Sequence, residues 1–309
     1  MAAPIVVVGA VSVDLGLKVE RFPAAGQTAA ASNLAIFYGG KGALQACACA
    51  QLGGRTALIA RVGQDAFAAR LKKLLATTGI NVSQVRRLPR HRTGFAATVI
   101  NNSGQALHVS VPGANRAFTA DQLEAARPLL TAARVVLLQL ELPLATVKAA
   151  ARIAKKAGAL VILDPTPARE LPNDLLRLID YLTPGEAELA FMTGAPLDDL
   201  PRLHAVHKAS EIVARGVKKV IVKLGPQGAL LVTENSQHLW RPQSMHRSDV
   251  TLAGDTFNAA LAVAVAAGKS ELTAGRFASI AASCVVTHPG MPLQFPSLAE
   301  VEKRWKRHL

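Results

Sequence analysis

The stretch Thr251-Leu-Ala-Gly-Asp-Thr-Phe-Asn258 runs directly into an apolar segment of helical character, Ala259 to Ala267. A helix starting here leaves its first backbone N–H groups without intrahelical acceptors. Together with the positive end of the helix dipole they form a site for phosphate. Gly254 permits close approach of the backbone to a ligand. Asp255, in the same turn, can take the proton of a hydroxyl that attacks such a phosphate. Taken alone, a Gly-Asp pair at a helix start serves equally as a cap.

A second group is Gly39-Gly-Lys-Gly-Ala43, which enters a helix ending at Gly53 and Gly54. Three glycines around a lysine let the backbone touch a ligand while Lys41 supplies a point charge. No Ser or Thr follows Lys41, so this is not a Walker A loop; a plain strand-to-helix connection is the alternative. Asp14 follows the first apolar strand, and Glu141 follows the apolar run ending at Leu140. Carboxylates at the carboxyl ends of parallel strands lie where open α/β sheets bind ligands, and each accepts from two hydroxyls of a polyol. Singly, each also suits an ordinary loop.

These groups need a scaffold. Strand-like runs at 5–8, 56–62, 134–140, 160–163, 181–183, 220–224 and 229–233 are mostly too uniformly apolar to have a wet face. Helical patterns at 66–77, 120–131, 144–156 and 203–215 alternate with them, and 255–267, 272–286 and 297–307 close the chain. That order predicts an α/β fold with a doubly wound, mainly parallel sheet covered on both sides. Two stretches, about 15–38 and 93–111, break the rhythm; the second reads as a hairpin turning at 101–104. Meeting in space, they would form a small β-sheet lid over a ligand cleft within one domain, 1–309; an added edge of the main sheet is the alternative.

Half of the 309 residues are hydrophobic and 18% are charged, enough for a large core, and no apolar run reaches the length of a membrane span. The net charge of +14 is spread in short pairs without aromatic interleaving, which favours anionic small ligands or a solvated surface over nucleic acid. Cys47, Cys49 and Cys284 make neither a disulfide set nor a metal pair, as expected of reduced thiols in a cytoplasmic protein. His91, His108, His204, His207 and His246 lack metal-ligand spacing.

Taken in order, Asp14, Gly39-Gly-Lys-Gly42, Gly113-Ala-Asn115, Glu141, Asp164-Pro-Thr-Pro-Ala-Arg169, Leu182-Thr-Pro-Gly-Glu-Ala-Glu188, Leu224-Gly-Pro-Gln-Gly228 and Ala253-Gly-Asp-Thr-Phe-Asn258 resemble the ribokinase branch of the PfkB-type carbohydrate kinases, from residue 5 to about 296. The resemblance implies an ATP-dependent sugar kinase, with ribose the leading acceptor and another sugar or a nucleoside behind it. It implies Asp255 as catalytic base and the backbone of Leu252, Ala253 and Gly254 as anion hole. Ser12, Asp14, Gly39, Gly40, Lys41, Leu44 and Glu141 fall on substrate-binding positions. Gly185, Glu188, Lys223, Gly225, Gly228 and Ser279 fall on ATP-binding positions, with Glu188 holding Mg2+ indirectly. Asp249, Thr251, Val285, His288 and Gly290 match a K+ site, and the lid matches a homodimer contact.

The chain departs from that pattern. Ser12 and Leu44 each stand where the family carries a sugar-contacting Asn; an amide lost from a polyol pocket weakens binding by on the order of 1 kcal/mol per hydrogen bond. Leu44 would make part of the pocket apolar. Gly185 replaces the Asn of Asn-x-x-Glu, Lys223 stands where Thr is usual, and Gln294 replaces a Ser of the potassium loop. An ammonium at Lys223 near the ATP phosphates would offset part of the loss at Gly185; a solvent-facing Lys223 would not. A catalytically weak binding protein on the same fold is the competing reading, opposed by the retained Asp255.

Overall fold

The computed structural model describes residues 4–103, 105–196, 202–241, 252–285 and 294–306. In chain order they form β1 (Ile5–Val8), β2 (Ser12–Val19), β3 (Ala31–Gly39), α1 (Lys41–Gln51), β4 (Thr56–Val62), α2 (Ala66–Thr77), β5 (Asn81–Arg87), β6 (Gly94–Ile100) and β7 (Ala106–Val111). Then come α3 (Arg127–Thr131), β8 (Val135–Gln139), α4 (Leu144–Lys156), β9 (Leu160–Asp164), α5 (Asn173–Leu176), β10 (Tyr181–Leu182), α6 (Glu186–Thr193) and α7 (Arg202–Ala214). The rest is β11 (Lys219–Lys223), β12 (Ala229–Val232), β13 (Gln237–Trp240), α8 (Ala253–Ala266), α9 (Glu271–Ser283) and α10 (Leu298–Lys306).

The large sheet has the order β13-β12-β11-β10-β9-β8-β1-β4-β5. It is parallel from β5 to β11, and β12 and β13 are antiparallel additions. Side chains of β1 alternate between two cores: Ile5 and Val7 pack with Ala43 and Ala259, whereas Val6 and Val8 pack with Val147 and Ala150. Each of these buried Ile and Val side chains of β1 stabilises the fold by about 1.5–3 kcal/mol. Because both faces are covered, the strand reads as a continuous apolar run. The chain winds outward from β1 in both directions, so the switch point lies beside β1, with β8 and β4 flanking it. Loops at the carboxyl ends of these strands are where such sheets bind ligands.

Both irregular stretches join in a separate sheet of order β3-β2-β6-β7, with β2 and β6 parallel and the outer pairs antiparallel. It is not an edge of the main sheet. Its first strand begins at Ser12, three residues before the expected start at 15. The hairpin turn is tied by Asn101, whose Oδ1 accepts from the N–H groups of Ser103 and Gln105; Gly104 lies outside the described residues. The helix expected over 120–131 is instead a 3-10 stretch, Asp121–Ala126, followed by α3. Pro128 explains the break: lacking an N–H, it fits the first turn of a helix and not the interior.

Candidate active site

Gly40 caps α1 at φ 82°, a left-handed value, and a side chain there would collide with the Ala10 carbonyl, 2.6 Å from an ideal Cβ. Only glycine suits both demands. The turn throws the backbone of Lys41 against Glu141 at the end of β8: Lys41 N–H donates to Glu141 Oε2 at 2.7 Å. Asp14 lies in β2 opposite β3, with Ser12 Oγ donating to its Oδ1 at 2.6 Å. Gly39 leaves the space its carboxylate occupies.

Ser12, Asp14, Gly40 and Glu141 line a cavity of about 750 Å³, whose apolar wall includes Phe95 and Leu142. Leu44 stands in the first turn of α1, half-buried, and is not among the lining residues. Gly39 and Lys41 border the cavity in sequence without lining it. The Asn115 amide, from the third motif, exchanges two hydrogen bonds with the backbone of Val11, at 3.0 and 2.9 Å, and so fixes the loop after β1.

α8 begins after Leu252, and its first intrahelical hydrogen bond is Thr256 N–H to the Leu252 carbonyl at 2.9 Å. The N–H groups of Ala253, Gly254 and Asp255 are therefore free of intrahelical acceptors. Asp255 is 3% exposed. Its Oδ1 accepts from Gln45 Nε2 at 2.8 Å and from Lys41 Nζ at 3.4 Å. Among the described residues nothing donates to Oδ2.

A second cavity, of about 380 Å³, is lined by Lys223, Gly225, Gly228, Gly254 and Ser279. The Ser279 hydroxyl donates to the Gly275 carbonyl at 2.9 Å. Lys223 does not face solvent. Its Nζ donates to Asp164 Oδ1 at 3.1 Å and lies 3.7 Å from where a Cβ of Gly254 would stand. Asp164, fully buried at the end of β9, also accepts from Gln45 Nε2 at 2.9 Å and faces Lys41 Nζ at 3.8 Å. Thr166 Oγ lies 3.0 Å from Asp164 Oδ1 and 3.1 Å from Glu188 Oε1, and Gly185 N–H donates to Glu188 Oε2 at 2.9 Å. One buried carboxylate thus links the two cavities, with an ammonium on each side of it.

The charges are mutually adjusted. Burial opposes ionisation of the Lys41 ammonium, but Asp255, Asp164 and Glu141 outweigh it and hold its pKa above the usual value. Burial likewise disfavours the Asp164 carboxylate, and the charges of Lys223 and Lys41 reverse that and keep its pKa low. Glu141 goes the other way: burial pushes it up to about 7 despite the N–H and the charge of Lys41. Asp14 is raised by burial, tempered by the Ser12 hydroxyl.

The structure brings together Asp255, Lys41 and Glu141, and Lys223 with Gly254. Gln45, Gln139 and Asp164 were not singled out as site residues from sequence, although Asp164 opens a quoted motif. Of the expected potassium ligands Val285 is buried just past α9, whereas Asp249, Thr251, His288 and Gly290 lie outside the described residues; the turn from Leu252 onward lies within them.

The model for the pfkB family of carbohydrate kinases matches residues 2–297. Ribokinase of Haemophilus influenzae is 33% identical over 300 residues, covering 97% of each chain. Deoxyribokinase of Salmonella typhimurium is 31% identical over 297 residues, covering 96% of each. The structure of Arabidopsis thaliana ribokinase complexed with ribose and ATP superimposes with a TM-score of 0.91 at 35% identity, covering 98% of each chain. With a family model spanning nearly its whole length and full-length relatives above 30% identity, the chain belongs to the pfkB family of carbohydrate kinases.

Proposed function

We propose that this protein is an ATP-dependent pentose kinase with ribose as its leading acceptor and Asp255 as the base. The observation that carries the reading is the single turn at the start of α8, where a buried carboxylate and three free N–H groups stand between two cavities. A protein that only bound a sugar would have no use for that carboxylate. The relatives named as ribokinase, and the one solved with ribose and ATP, point to the same acceptor. The deoxyribokinase keeps a 2-deoxy pentose as the second candidate.

In this reading the acceptor lies against Ser12, Asp14, Gly40 and Glu141, beside the loop of Gly39 and Lys41, and its hydroxyl gives a proton to Oδ2 of Asp255; Leu44, expected from sequence among the acceptor contacts, stands back from that cavity. The freed oxygen attacks the γ-phosphorus of ATP, the bond to the bridging oxygen breaks, and ADP leaves. Negative charge on the transferred group faces the N–H groups of Ala253, Gly254 and Asp255, with Lys41 and Lys223 on either side; prearranged donors of this kind are the main source of catalysis in such sites. Gly185, Glu188, Lys223, Gly225, Gly228 and Ser279 form the nucleotide side.

Among the described residues no group of three or more His, Cys, Asp or Glu side chains is arranged to hold a metal. On the family resemblance, Glu188 would hold Mg2+ indirectly on the nucleotide side. When bound, it neutralises phosphate charge. Potassium is assigned, on the family resemblance, to Asp249, Thr251, Val285, His288 and Gly290.

The small sheet supports a homodimer. Its in-register rows Ile36–Leu15–Ala97–Val109 and Leu34–Leu17–Val99–Leu107 put apolar side chains on one face. Leu34, Ile36, Leu107 and Val109 are each more than half exposed. Asp14, Ala96 and Ser110, in the alternate register, line the acceptor cavity instead. A lid that is wet on its ligand side and apolar on its back is suited to a second copy of the same sheet. Three free thiols suit a cytoplasmic setting, and no described helix is long and apolar enough to cross a membrane.

The test is ADP release with ATP and Mg2+ over ribose, deoxyribose, ketoses and nucleosides. Turnover highest on ribose is expected; no turnover on any of them overturns the reading.

A further inference from the structure

Gln45 is fully buried in the first turns of α1, where every other buried residue is Gly, Ala or Cys. Its side-chain amide makes three hydrogen bonds. Nε2 donates to Asp255 Oδ1 at 2.8 Å and to Asp164 Oδ2 at 2.9 Å, and Oε1 accepts from Gln139 Nε2 at 2.6 Å. Carboxylates only accept, so the nitrogen must face them, and the donor from Gln139 holds the oxygen on the other side. Both hydrogens of one neutral amide are thereby committed to two carboxylates that would otherwise repel each other across a dry interior.

Two consequences follow for Asp255. Its Oδ1 is saturated, by Gln45 and by Lys41, and Oδ2 is the oxygen without a described donor. The carboxylate is also tied through Gln45 to Asp164, which is anchored to Lys223 on the nucleotide side. Base and phosphate-side cation are thus held to one frame by a residue that lines neither cavity. We infer that Gln45 is a positioning residue for phosphoryl transfer, its amide, braced by Gln139, clamping one oxygen of Asp255 so that the other is presented to the acceptor hydroxyl. The inference rests on the reading of Asp255 as the base.

A clamp of this kind acts on the reacting geometry and not on binding. A misplacement on the order of 1 Å costs about a hundredfold in rate. In Gln45→Met, which keeps length without a donor, kcat should fall about 10- to 100-fold, while the KM for the sugar and the Kd for ADP stay within about twofold. Gln45→Glu keeps the shape but replaces the donor with an acceptor and should fall at least as far. Gln139→Leu, which only unbraces the amide, should show a smaller loss in the same direction. Near-ultraviolet circular dichroism and ADP binding establish folding. If Gln45→Met loses either, Gln139→Leu carries the test.

Asp255→Asn, assayed alongside, separates the two readings. Parent-like activity in Asp255→Asn removes the base and the clamp together. A strongly impaired Asp255→Asn with folded Gln45→Met (or, in its place, Gln139→Leu) at parent kcat overturns the clamp and leaves the base standing. In whichever variant carries the test, equal losses in kcat and in ADP affinity likewise overturn it, because they mark a merely structural role.

Discussion

Gly185 and Lys223 lie side by side in a parallel bridge, and the N–H of Lys223 donates to the Pro184 carbonyl at 2.8 Å. Two departures from the family pattern, a glycine where an amide is expected and a lysine where a hydroxyl is expected, are therefore in contact. The backbone bridge sets the ammonium beside Asp164 and the Gly254 turn, on the side of the cavity lined by Gly225, Gly228 and Ser279.

That contact makes a prediction about nucleotide binding. Hydrogen bonds to charged groups contribute about 1.5–3 kcal/mol, so Lys223→Thr should raise the KM for ATP by about 10- to 100-fold while the KM for the sugar changes little. Restoring the amide as well, in Gly185→Asn with Lys223→Thr, should recover part of the loss. Initial rates with each substrate varied in turn decide it; an unchanged KM for ATP would remove Lys223 from the phosphate side.

Asp255→Asn preserves the shape of the side chain and its contact with Gln45, yet cannot accept the proton. General-base catalysis contributes about 10²–10⁴-fold. The expected outcome is a fall of that order in kcat, with sugar and ATP still bound, as read by isothermal titration against single-turnover rates.

Much of this arrangement was legible in the chain. Asp14, the Gly39–Lys41 loop, Glu141 and the Gly254–Asp255 turn announce themselves by residue type next to a strand end or a helix start. The parallel strands show as apolar runs because both faces are buried. Gln45 does not announce itself: its partners lie 94, 119 and 210 residues away, and the packing of α1 against β8, β9 and α8 brings them together. The available signal was an amide beside the Ala and Cys of α1, and the same helix carries a second, exposed amide at Gln51. β5 was missed for a different reason. It is an edge strand with polar, outward-facing residues, and its pattern resembles a loop. The orientation of Lys223 depended on which side of β11 faced Asp164, which no local pattern encodes.

The apolar back of the small sheet yields a test of assembly. Val109, midway along the outer strand β7, is 68% exposed and pairs with Ala97 of β6. A carboxylate there would face its own copy or an apolar wall across a two-fold contact, and an unpaired buried charge costs several kcal/mol. Val109→Asp should therefore shift the protein to a monomer in light scattering at micromolar concentration. A parent protein that is already monomeric at high concentration would rule out the lid contact.

Glu141 links pH to both stability and sugar binding. Its folded pKa of about 7 lies above the usual carboxylate value of 4.5 because burial disfavours the charged form. Between those two values the folded chain holds a proton that the unfolded chain has released. By linkage, the contribution of Glu141 favours the folded state at low pH and declines as pH rises from about 4.5 to about 7. On the proposed placement of Glu141 against the acceptor, binding runs the opposite way, since an ionised carboxylate can accept from two hydroxyls. Sugar affinity should weaken as pH falls from 8 to 6, and thermal stability of the free protein should not fall with it on account of this group. Glu141→Gln keeps an acceptor for the Lys41 N–H and has no charge to bury. It should flatten the pH dependence of sugar affinity, bind sugar more weakly at pH 8, and unfold no earlier than the parent there. Calorimetric titration with ribose and thermal scans at matched pH measure both halves, and an unaltered pH profile in the variant would assign the titration to another group.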